Sequence, residues 1–338
     1  MFRLLRATTS PEQPMSAYRQ TFIEANGIRL HMAQQGDGPL VLLCHGFPET
    51  SHAWRHQLAA LAQAGFHAIA PDLRGYGSSE CPTAIEQYTT LDVVGDLVAL
   101  VDILGERNAV VVGNDWGATI AWQAALLRPD RFRAVAALGV PMMGRAPMAP
   151  SRLFPQTDQA WFYTHYFSEP GLAESEFERD VRATFRKIYF SASGDVGTRD
   201  ANTPNPFGLM PRSGGLLDSL IDPPLLPAWL APTDLDQFVR AFSISGFRGG
   251  LNYYRNLDRN WEMQSAFEGL LVKVPSLYLV GERDTGLAMP GMHEIIGGMP
   301  QFVPKLSASR VVPQAGHWLQ QEAPDFVNAA LIEFLREL

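Results

Sequence analysis

The feature that most constrains this chain is an alternation of short apolar runs with stretches of helical spacing over its first 140 residues. Apolar residues recur at helical spacing in 54–64, 91–104 and 118–127. Such an alternation predicts an α/β fold with a mostly parallel sheet flanked by helices. Four continuous runs that close on Gly, Pro or Asp are interpreted as its buried strands: PLVLLCHG (39–46), FHAIAPD (66–72), NAVVVGND (108–115) and FRAVAALGV (132–140).

Two further regions extend this predicted sheet. QTFIEANG and IRLHMAQQG, at 20–36, have the pattern of an antiparallel hairpin that turns at Asn26-Gly27. Strand patterns return in VPSLYLVGERD (274–284) and SRVVPQAGHW (309–318), and residues 323–335 are typical of an amphipathic helix.

The region between these two parts has a different composition and is interpreted as an insertion. Prolines stand at 141, 147, 150 and 155, aromatic helical segments follow, and residues 203–232 hold seven more prolines. So many prolines predict no regular elements in 203–232. We therefore expect an N-terminal extension at 1–19 that is poorly ordered, a core in two parts at 20–145 and 265–338, and a mainly helical cap at 146–264.

Composition excludes several classes of function. The 338 residues are 46% hydrophobic and 18% charged, which favours a folded globular chain, and the net charge of -8 disfavours nucleic acid or an anionic membrane as a partner. No apolar window is long enough to span a membrane. Two cysteines without a Cys/His cluster predict no disulfide framework, no metal and a reducing, cytoplasmic location. No cofactor is expected, and the chain is expected to be a monomer or a homodimer.

Three residues that follow predicted strands carry the chemistry. They are Asp115 in GNDWG, Asp284 in VGERDTG and His317 in QAGHWLQ. The turn around Asp115 resembles the G-x-S-x-G turn of serine hydrolases, with a carboxylate at the position of the serine. Because parallel strands end at one edge of a sheet, we expect the three side chains to meet there.

A larger set of motifs resembles the soluble epoxide hydrolases of the α/β-hydrolase superfamily from about residue 20 onward. The two tyrosine-containing segments of this set are its most specific members. The motifs are HGFPE (45–49), DLRGYGSS (72–79), GNDWG (113–117), YTHYFSEPG (163–171), GFRGGLNYYRN (246–256), GERD (281–284) and GHW (316–318).

The resemblance implies conversion of a small apolar epoxide and water to a vicinal diol. Attack on a saturated carbon by a serine would leave an ether, whereas attack by Asp115 leaves an ester that water can cleave. His317 is then expected to activate that water, and Asp284 to orient the imidazole. Asp258 is a second candidate for the acid, because some relatives carry theirs elsewhere in the chain.

The hydrolytic step needs N–H donors for the charge that develops on the Asp115 carboxyl group. The scaffold places one at the residue after the nucleophile, Trp116, and the resemblance places the other at Phe47. It also implies a cis peptide bond before Pro48. His45 is interpreted as a hydrogen-bonding residue of that loop.

The alkoxide that forms when the ring opens needs a proton donor, and tyrosine is neutral at working pH. The resemblance assigns this role to Tyr163 and Tyr254, while Tyr166 and Tyr253 are interpreted as packing residues. The candidate substrate-binding residues are Phe47, Trp116, Trp161, Phe167, Met289 and Trp318.

Other charged residues are interpreted as structural. Asp72 and Arg74 are typical of loop architecture, and Asp92, Asp96 and Asp102 have the spacing of a solvated helix face.

Two alternative functions are considered. A haloalkane dehalogenase also combines an aspartate nucleophile with a following tryptophan, but halide departure needs no proton, and Phe47 stands where such enzymes commonly carry Asn or Glu. A non-catalytic ligand-binding relative usually lacks a triad member, and none is lacking here. We therefore expect an enzyme.

Overall fold

A computed structural model of the chain describes residues 18–198, 205 and 207–338, so that residues 1–17 of the expected N-terminal extension lie outside the described residues. The strands are β1 (Arg19–Ala25), β2 (Ile28–Gln35), β3 (Leu40–Cys44), β4 (His67–Pro71), β5 (Ala109–Asn114), β6 (Phe132–Leu138), β7 (Ala160–Phe162), β8 (Leu209–Pro211), β9 (Ser276–Gly281) and β10 (Leu306–Val312).

Eight of these strands form the central sheet, in the order β1-β2-β4-β3-β5-β6-β9-β10. The pairs β1/β2 and β2/β4 are antiparallel, and the remaining pairs are parallel. The hairpin turns where predicted, since Asn26 and Gly27 have φ of 51° and 76°, as a tight two-residue turn requires. The predicted mostly parallel sheet is confirmed.

Successive residues of the central strands alternate between two apolar layers, one on each face of the sheet. Val41 and Val110 pack on one face of the sheet, whereas their neighbours Leu42 and Val111 pack on the other. Burial on both faces explains why these strands are continuously apolar in sequence. The helices are α1 (Arg55–Gln63), α2 (Thr90–Ile103), α3 (Trp116–Leu127), α4 (Pro150–Leu153), α5 (Tyr163–Ser168), α6 (Leu172–Phe177), α7 (Val181–Ala192), α8 (Pro232–Ser245), α9 (Arg248–Arg255), α10 (Leu257–Gln264), α11 (Met292–Gly298), α12 (Leu319–Glu322) and α13 (Pro324–Arg336).

The helices cover both faces of the sheet. Leu58 and Leu61 of α1 share an apolar layer with Leu331 and Phe334 of α13. Residues of α2 and α3 pack in the opposite layer, where Val93 and Ile120 are fully buried. The predicted flanking of the sheet by helices is therefore confirmed.

An inserted, mainly helical cap connects β6 to β9. It contains α4 to α10 and a small antiparallel sheet of β7 and β8. The prediction that 203–232 holds no regular element is wrong at β8, which ends at Pro211. Proline is tolerated there because its missing N–H group costs no hydrogen bond at the edge of a sheet. The boundaries at 145 and 265 stay a prediction.

The described residues contain neither a membrane-spanning helix nor a cluster of metal-binding side chains. Within residues 18–198, 205 and 207–338, no helix has both the length and the apolarity that crossing a membrane demands. Nor do the His, Cys, Asp and Glu side chains of these residues form a group of three or more that could hold a metal ion.

The prediction that Asp92, Asp96 and Asp102 share a solvated face is wrong for Asp96. Its carboxylate is buried and ion-paired with Arg74, whose Nε donates to Asp96 Oδ2 over 2.6 Å, while Asn26 donates to Asp96 Oδ1 over 2.9 Å. Asp92 caps its own helix by accepting from the Thr89 N–H over 3.1 Å, and Asp102 alone of the three is exposed. Helical spacing places Asp96 on a face but does not show that Arg74 covers it.

We expect replacement of Asp96 to destabilise the protein. Asp96→Ala leaves the Arg74 guanidinium buried without its counter-charge, which typically lowers the free energy of unfolding by about 3–5 kcal/mol. Urea denaturation of the purified variant measures this. Asp130→Ala, which breaks an exposed pair with Arg128 of 2.7 Å, is the control and is expected to cost less than ~1 kcal/mol. Equal effects of the two substitutions would contradict the assignment of a buried pair.

Candidate active site

Three parallel strands, β5, β9 and β10, end at the same edge of the sheet, and a candidate catalytic residue follows each of them. Asp115 comes directly after β5, Asp284 follows β9, and His317 follows β10. His317 Nε2 lies 3.3 Å from Asp115 Oδ2, and His317 Nδ1 lies 3.1 Å from Asp284 Oδ2. The structure therefore brings the three residues into one row, with the imidazole in the middle.

Asp115 occupies a sharp turn between β5 and α3. Its φ of 55° and ψ of -120° are unusual for a residue with a side chain, and such conformations concentrate at functional sites. The turn is tight enough to require glycine on both sides. A Cβ atom at Gly113 would lie 2.0 Å from the Gly117 carbonyl oxygen, and one at Gly117 would lie 2.0 Å from that of Cys44.

One backbone amide donates to the Asp115 carboxylate, and another follows Asp115 in the chain. The N–H of Phe47 donates to Asp115 Oδ1 over 2.8 Å, and Trp116 begins α3 directly after the turn. The loop approaches closely, since a Cβ at Gly46 would lie 2.4 Å from Asp115 Cβ, and the Phe47-Pro48 peptide bond is cis, as expected. Phe47 and Trp116 are thus adjacent to Asp115, and their role as oxyanion donors stays a prediction.

The charge of His317 is set by its two neighbours. Burial by itself lowers the pKa of His317, but Asp284 and Asp115 together raise it well above the ordinary value of 6.5. Both carboxylates favour the imidazolium, which donates from Nδ1 to Asp284 and from Nε2 to Asp115. The two carboxylates therefore favour a protonated imidazole at this position in the free protein.

Two phenols lie near this row, since the charge of Asp115 acts on both of them. Tyr163 begins α5 and Tyr254 lies in α9, both in the cap, with ring centroids 6.1 Å apart. Burial raises the pKa of each tyrosine, and the charge of Asp115 raises both further. Each phenol therefore keeps its proton and can serve as a hydrogen-bond donor.

The candidate substrate-binding residues divide into two groups. Phe47, Phe167 and Trp116 surround Tyr254, with ring centroids 5.7, 4.8 and 5.2 Å from that of Tyr254. This aromatic group presents apolar surface around Tyr254, as expected of a site for an apolar ligand.

The other three candidates lie outside the aromatic group around Tyr254. Trp161 packs on the Arg212 guanidinium at 4.1 Å. Trp318 is buried against His317, and its indole N–H donates to the Tyr189 carbonyl over 3.0 Å. Met289 lies in the partly exposed loop after Asp284. Contact of these three residues with a ligand stays a prediction.

The residues interpreted as structural have structural partners. Tyr253 donates to the Arg74 carbonyl over 3.0 Å, and Tyr166 donates to Glu176 over 2.8 Å. Asp258 accepts the Ser151 N–H over 2.9 Å within the cap, while Asp284 contacts His317. Between the two candidate acids, the geometry favours Asp284.

The loop residue His45 is also held by hydrogen bonds. Its Nδ1 donates to the Gly46 carbonyl over 2.9 Å, and its Nε2 accepts the Leu73 N–H over 3.0 Å. The imidazole thus has a backbone partner on each side, as its interpretation as a loop residue requires.

A buried glutamate that sequence reasoning missed lies behind the site. Glu49 is fully buried and accepts from the Gly46 N–H over 3.1 Å and from the side chains of Gln320 and Gln321 over 2.9 and 2.8 Å. Burial raises the pKa of Glu49 to about 7, and the charge of Asp115 contributes to this rise. The HGFPE motif was the only sequence signal for it.

Known proteins share both the sequence and the structure of this chain. The family model of the alpha/beta hydrolase fold matches residues 39–324. Epoxide hydrolase A of Mycobacterium tuberculosis is 42% identical over 330 residues, which cover 96% of this chain and 99% of that protein. A solved epoxide hydrolase from an endophytic Streptomyces has a TM-score of 0.89 and 42% identity, covering 94% of this chain and 95% of that one. Epoxide Hydrolase A from Mycobacterium thermoresistibile has a TM-score of 0.84 and 40% identity, covering 95% and 98%.

Fold and site together define an α/β-hydrolase with an aspartate at the position of the nucleophile. Within that superfamily, the chain belongs to the epoxide hydrolases. The family resemblance predicted from the motifs is thereby confirmed.

The charge arrangement predicts how the pKa of His317 responds to substitution. Asp115→Asn removes one of the two carboxylates that raise it, so the imidazolium should lose its proton at a lower pH than in the wild type. An NMR titration of the His317 ring resonances, assigned by comparison with His317→Gln, measures the midpoint. Asp258→Asn is the control and should leave it unchanged. An unchanged or raised midpoint in Asp115→Asn would contradict the assignment of Asp115 as one of the two charges that raise the pKa of His317.

Proposed function

We propose that this protein hydrolyses small apolar epoxides to vicinal diols. The observation that carries the proposal is a carboxylate at the apex of the turn after β5, with an imidazole beside it and two phenols near it whose pKa values are raised. The activity of its named relatives supports the same reaction class. A saturated, strained carbon is the electrophile for which this combination of groups is suited.

In the first step, an oxygen of Asp115 attacks a ring carbon and the carbon–oxygen bond of the epoxide breaks. The electron pair of that bond moves to the departing oxygen, which takes a proton supplied through Tyr163 and Tyr254. The product is a hydroxyalkyl ester of Asp115. The phenols suit this role because their raised pKa values keep them protonated until the alkoxide forms.

Ester formation changes the state of His317. It neutralises Asp115, and the pKa of His317 therefore falls, because one of the two charges that raised it is gone. The proton released by the imidazolium balances the proton taken up by the alkoxide. His317 thus becomes a neutral base only after the covalent bond exists.

In the second step, His317 takes a proton from water, and the hydroxide formed attacks the carboxyl carbon of Asp115. The resulting oxyanion is stabilised by the N–H groups of Phe47 and Trp116, and removal of one such donor typically raises a barrier by about 3 kcal/mol. Collapse releases the diol oxygen, which takes the proton from the Asp115 carboxyl group. Asp284 stabilises the imidazolium that forms when His317 takes the proton from water.

We further propose that the protein works in the cytoplasm, without a metal or cofactor, as a monomer or a homodimer. Its two cysteines, Cys44 and Cys81, are free, which suits a reducing compartment. Every bond change in the scheme is assigned to side chains of this chain.

Styrene oxide and a trans-disubstituted epoxide are suitable probes of the reaction. We expect the wild type to form diol, and we expect His317→Gln to stop after ester formation because its side chain cannot act as the base. Intact-mass spectrometry should show an adduct equal to the epoxide mass on His317→Gln. Asp115→Asn is the control and should show neither adduct nor diol.

Two outcomes would contradict the proposal. Halide release from a haloalkane, without diol from either epoxide, would identify a dehalogenase. Binding of either epoxide without turnover by the wild type would identify a ligand-binding protein.

A further inference from the structure

The carboxylate of Glu322 accepts hydrogen bonds from the backbone on both sides of His317. Its Oε2 accepts the Gly316 N–H over 2.8 Å, and its Oε1 accepts the Trp318 N–H over 2.9 Å. These two amides belong to the residues directly before and after His317. The side chain of Glu322 therefore restrains the backbone at both ends of the residue that carries the imidazole.

The same carboxylate also reaches the cap. Glu322 Oε2 accepts the Gly194 N–H over 2.8 Å, and Gly194 follows α7 of the cap. The carbonyl of Gly194 in turn accepts from Arg283, the neighbour of Asp284, over 2.9 Å. One carboxylate thus joins a cap segment to the loop of the catalytic histidine, and that segment also contacts the loop of the acid.

The end of α7 and the residues after it, 192–194, approach the backbone of the His317 loop closely. The N–H of His317 itself donates to the carbonyl of Ala192 over 2.9 Å. A Cβ atom at Gly316 would lie 2.4 Å from Gly194 N, so that only glycine allows the two backbones to approach this closely. With its own N–H and both neighbouring N–H groups bonded, the backbone of His317 has little freedom to shift.

We propose that Glu322 is a positioning residue for the second half of the reaction. By fixing the backbone on both sides of His317 and tying it to the cap, Glu322 holds the imidazole at the distance from Asp115 that water activation requires. The inference rests on the proposed epoxide hydrolysis and adds a residue to it. Displacement of a catalytic group by about 1 Å can slow a step by roughly 100-fold.

The two half-reactions should depend differently on Glu322. Ester formation uses Asp115 on the turn after β5 and the phenols of α5 and α9, none of which Glu322 contacts through the bonds above. Ester hydrolysis uses His317. Loss of the carboxylate should therefore slow hydrolysis while ester formation continues, whereas a general loss of folding would slow both.

Glu322→Gln is the sharpest test because it keeps the size of the side chain. The amide oxygen of glutamine can accept one of the two N–H groups, from Gly316 or from Trp318. The NH₂ group would face the other N–H, and two donors cannot form a hydrogen bond, so the backbone is held on one side of His317 only. Burial raises the pKa of Glu322 to about 7, and the comparison is best made near pH ~8, where the wild-type carboxylate is charged.

Rapid mixing with styrene oxide, followed by acid quench and intact-mass analysis, gives the rates of ester formation and decay. We expect Glu322→Gln to form the ester within roughly threefold of the wild-type rate and to hydrolyse it at least tenfold more slowly, so that the adduct persists during turnover. Glu322→Asp keeps the charge on a shorter side chain and should recover part of the hydrolysis rate.

Glu176→Gln is the matched control. Glu176 also accepts two backbone N–H groups, from Leu216 and Leu217 at 3.0 Å, but it lies in the cap away from His317. It should leave ester hydrolysis unchanged. Circular dichroism and thermal melting of each variant show whether it is folded.

Three results would overturn the proposal. They are unchanged hydrolysis in folded Glu322→Gln, equal slowing of both half-reactions, and full wild-type hydrolysis in Glu322→Asp if Glu322→Gln does not fold. Absence of diol formation by the wild type would instead refute the proposed function.

Discussion

The imidazole of His317 stands between two carboxylates, and the proposed chemistry depends on that placement. Asp284 and Asp115 both raise the pKa of His317 and so favour its protonated form in the free protein. Conversion of Asp115 to an ester removes one of the two charges. The order of the two steps would then follow from electrostatics, because His317 can activate water only when there is an ester to hydrolyse.

The fold supplies this arrangement through the parallel sheet and the cap. Three strands end at one edge, which brings Asp115, Asp284 and His317 together although they are far apart in the sequence. The cap adds Tyr163 and Tyr254 from a different part of the chain. Its α7 end also contacts the backbone of His317, so the cap contributes to the geometry of the core as well as covering it.

The central strands and the strand-end residues could be predicted from the sequence because their patterns are local. A continuous apolar run that ends in Gly-Asn-Asp or Gly-Glu-Arg-Asp marks both a buried strand and the polar residue at its end. The tyrosines needed the family resemblance, since nothing in the spacing of Tyr163 and Tyr254 indicates that they meet.

The missed features depend on contacts that no pattern of residue types in the sequence indicates. Asp96 has the spacing of a solvated face, yet Arg74 buries it. Glu322 binds backbone amides, and an acceptor of N–H groups leaves no pattern of side chains to recognise. Among the candidate pocket residues, Phe167 joins the aromatic group around Tyr254, whereas Trp161 packs on Arg212; residue type alone does not separate these two environments.

The central claim is that water attacks the enzyme and not the epoxide. A single turnover in heavy-oxygen water, with enzyme in excess, tests it directly. Mass spectrometry is applied separately to the peptide that contains Asp115 and to the released diol. The heavy oxygen should enter the Asp115 carboxylate, and the diol should stay unlabelled. Heavy oxygen in the diol, with Asp115 unlabelled, would contradict it.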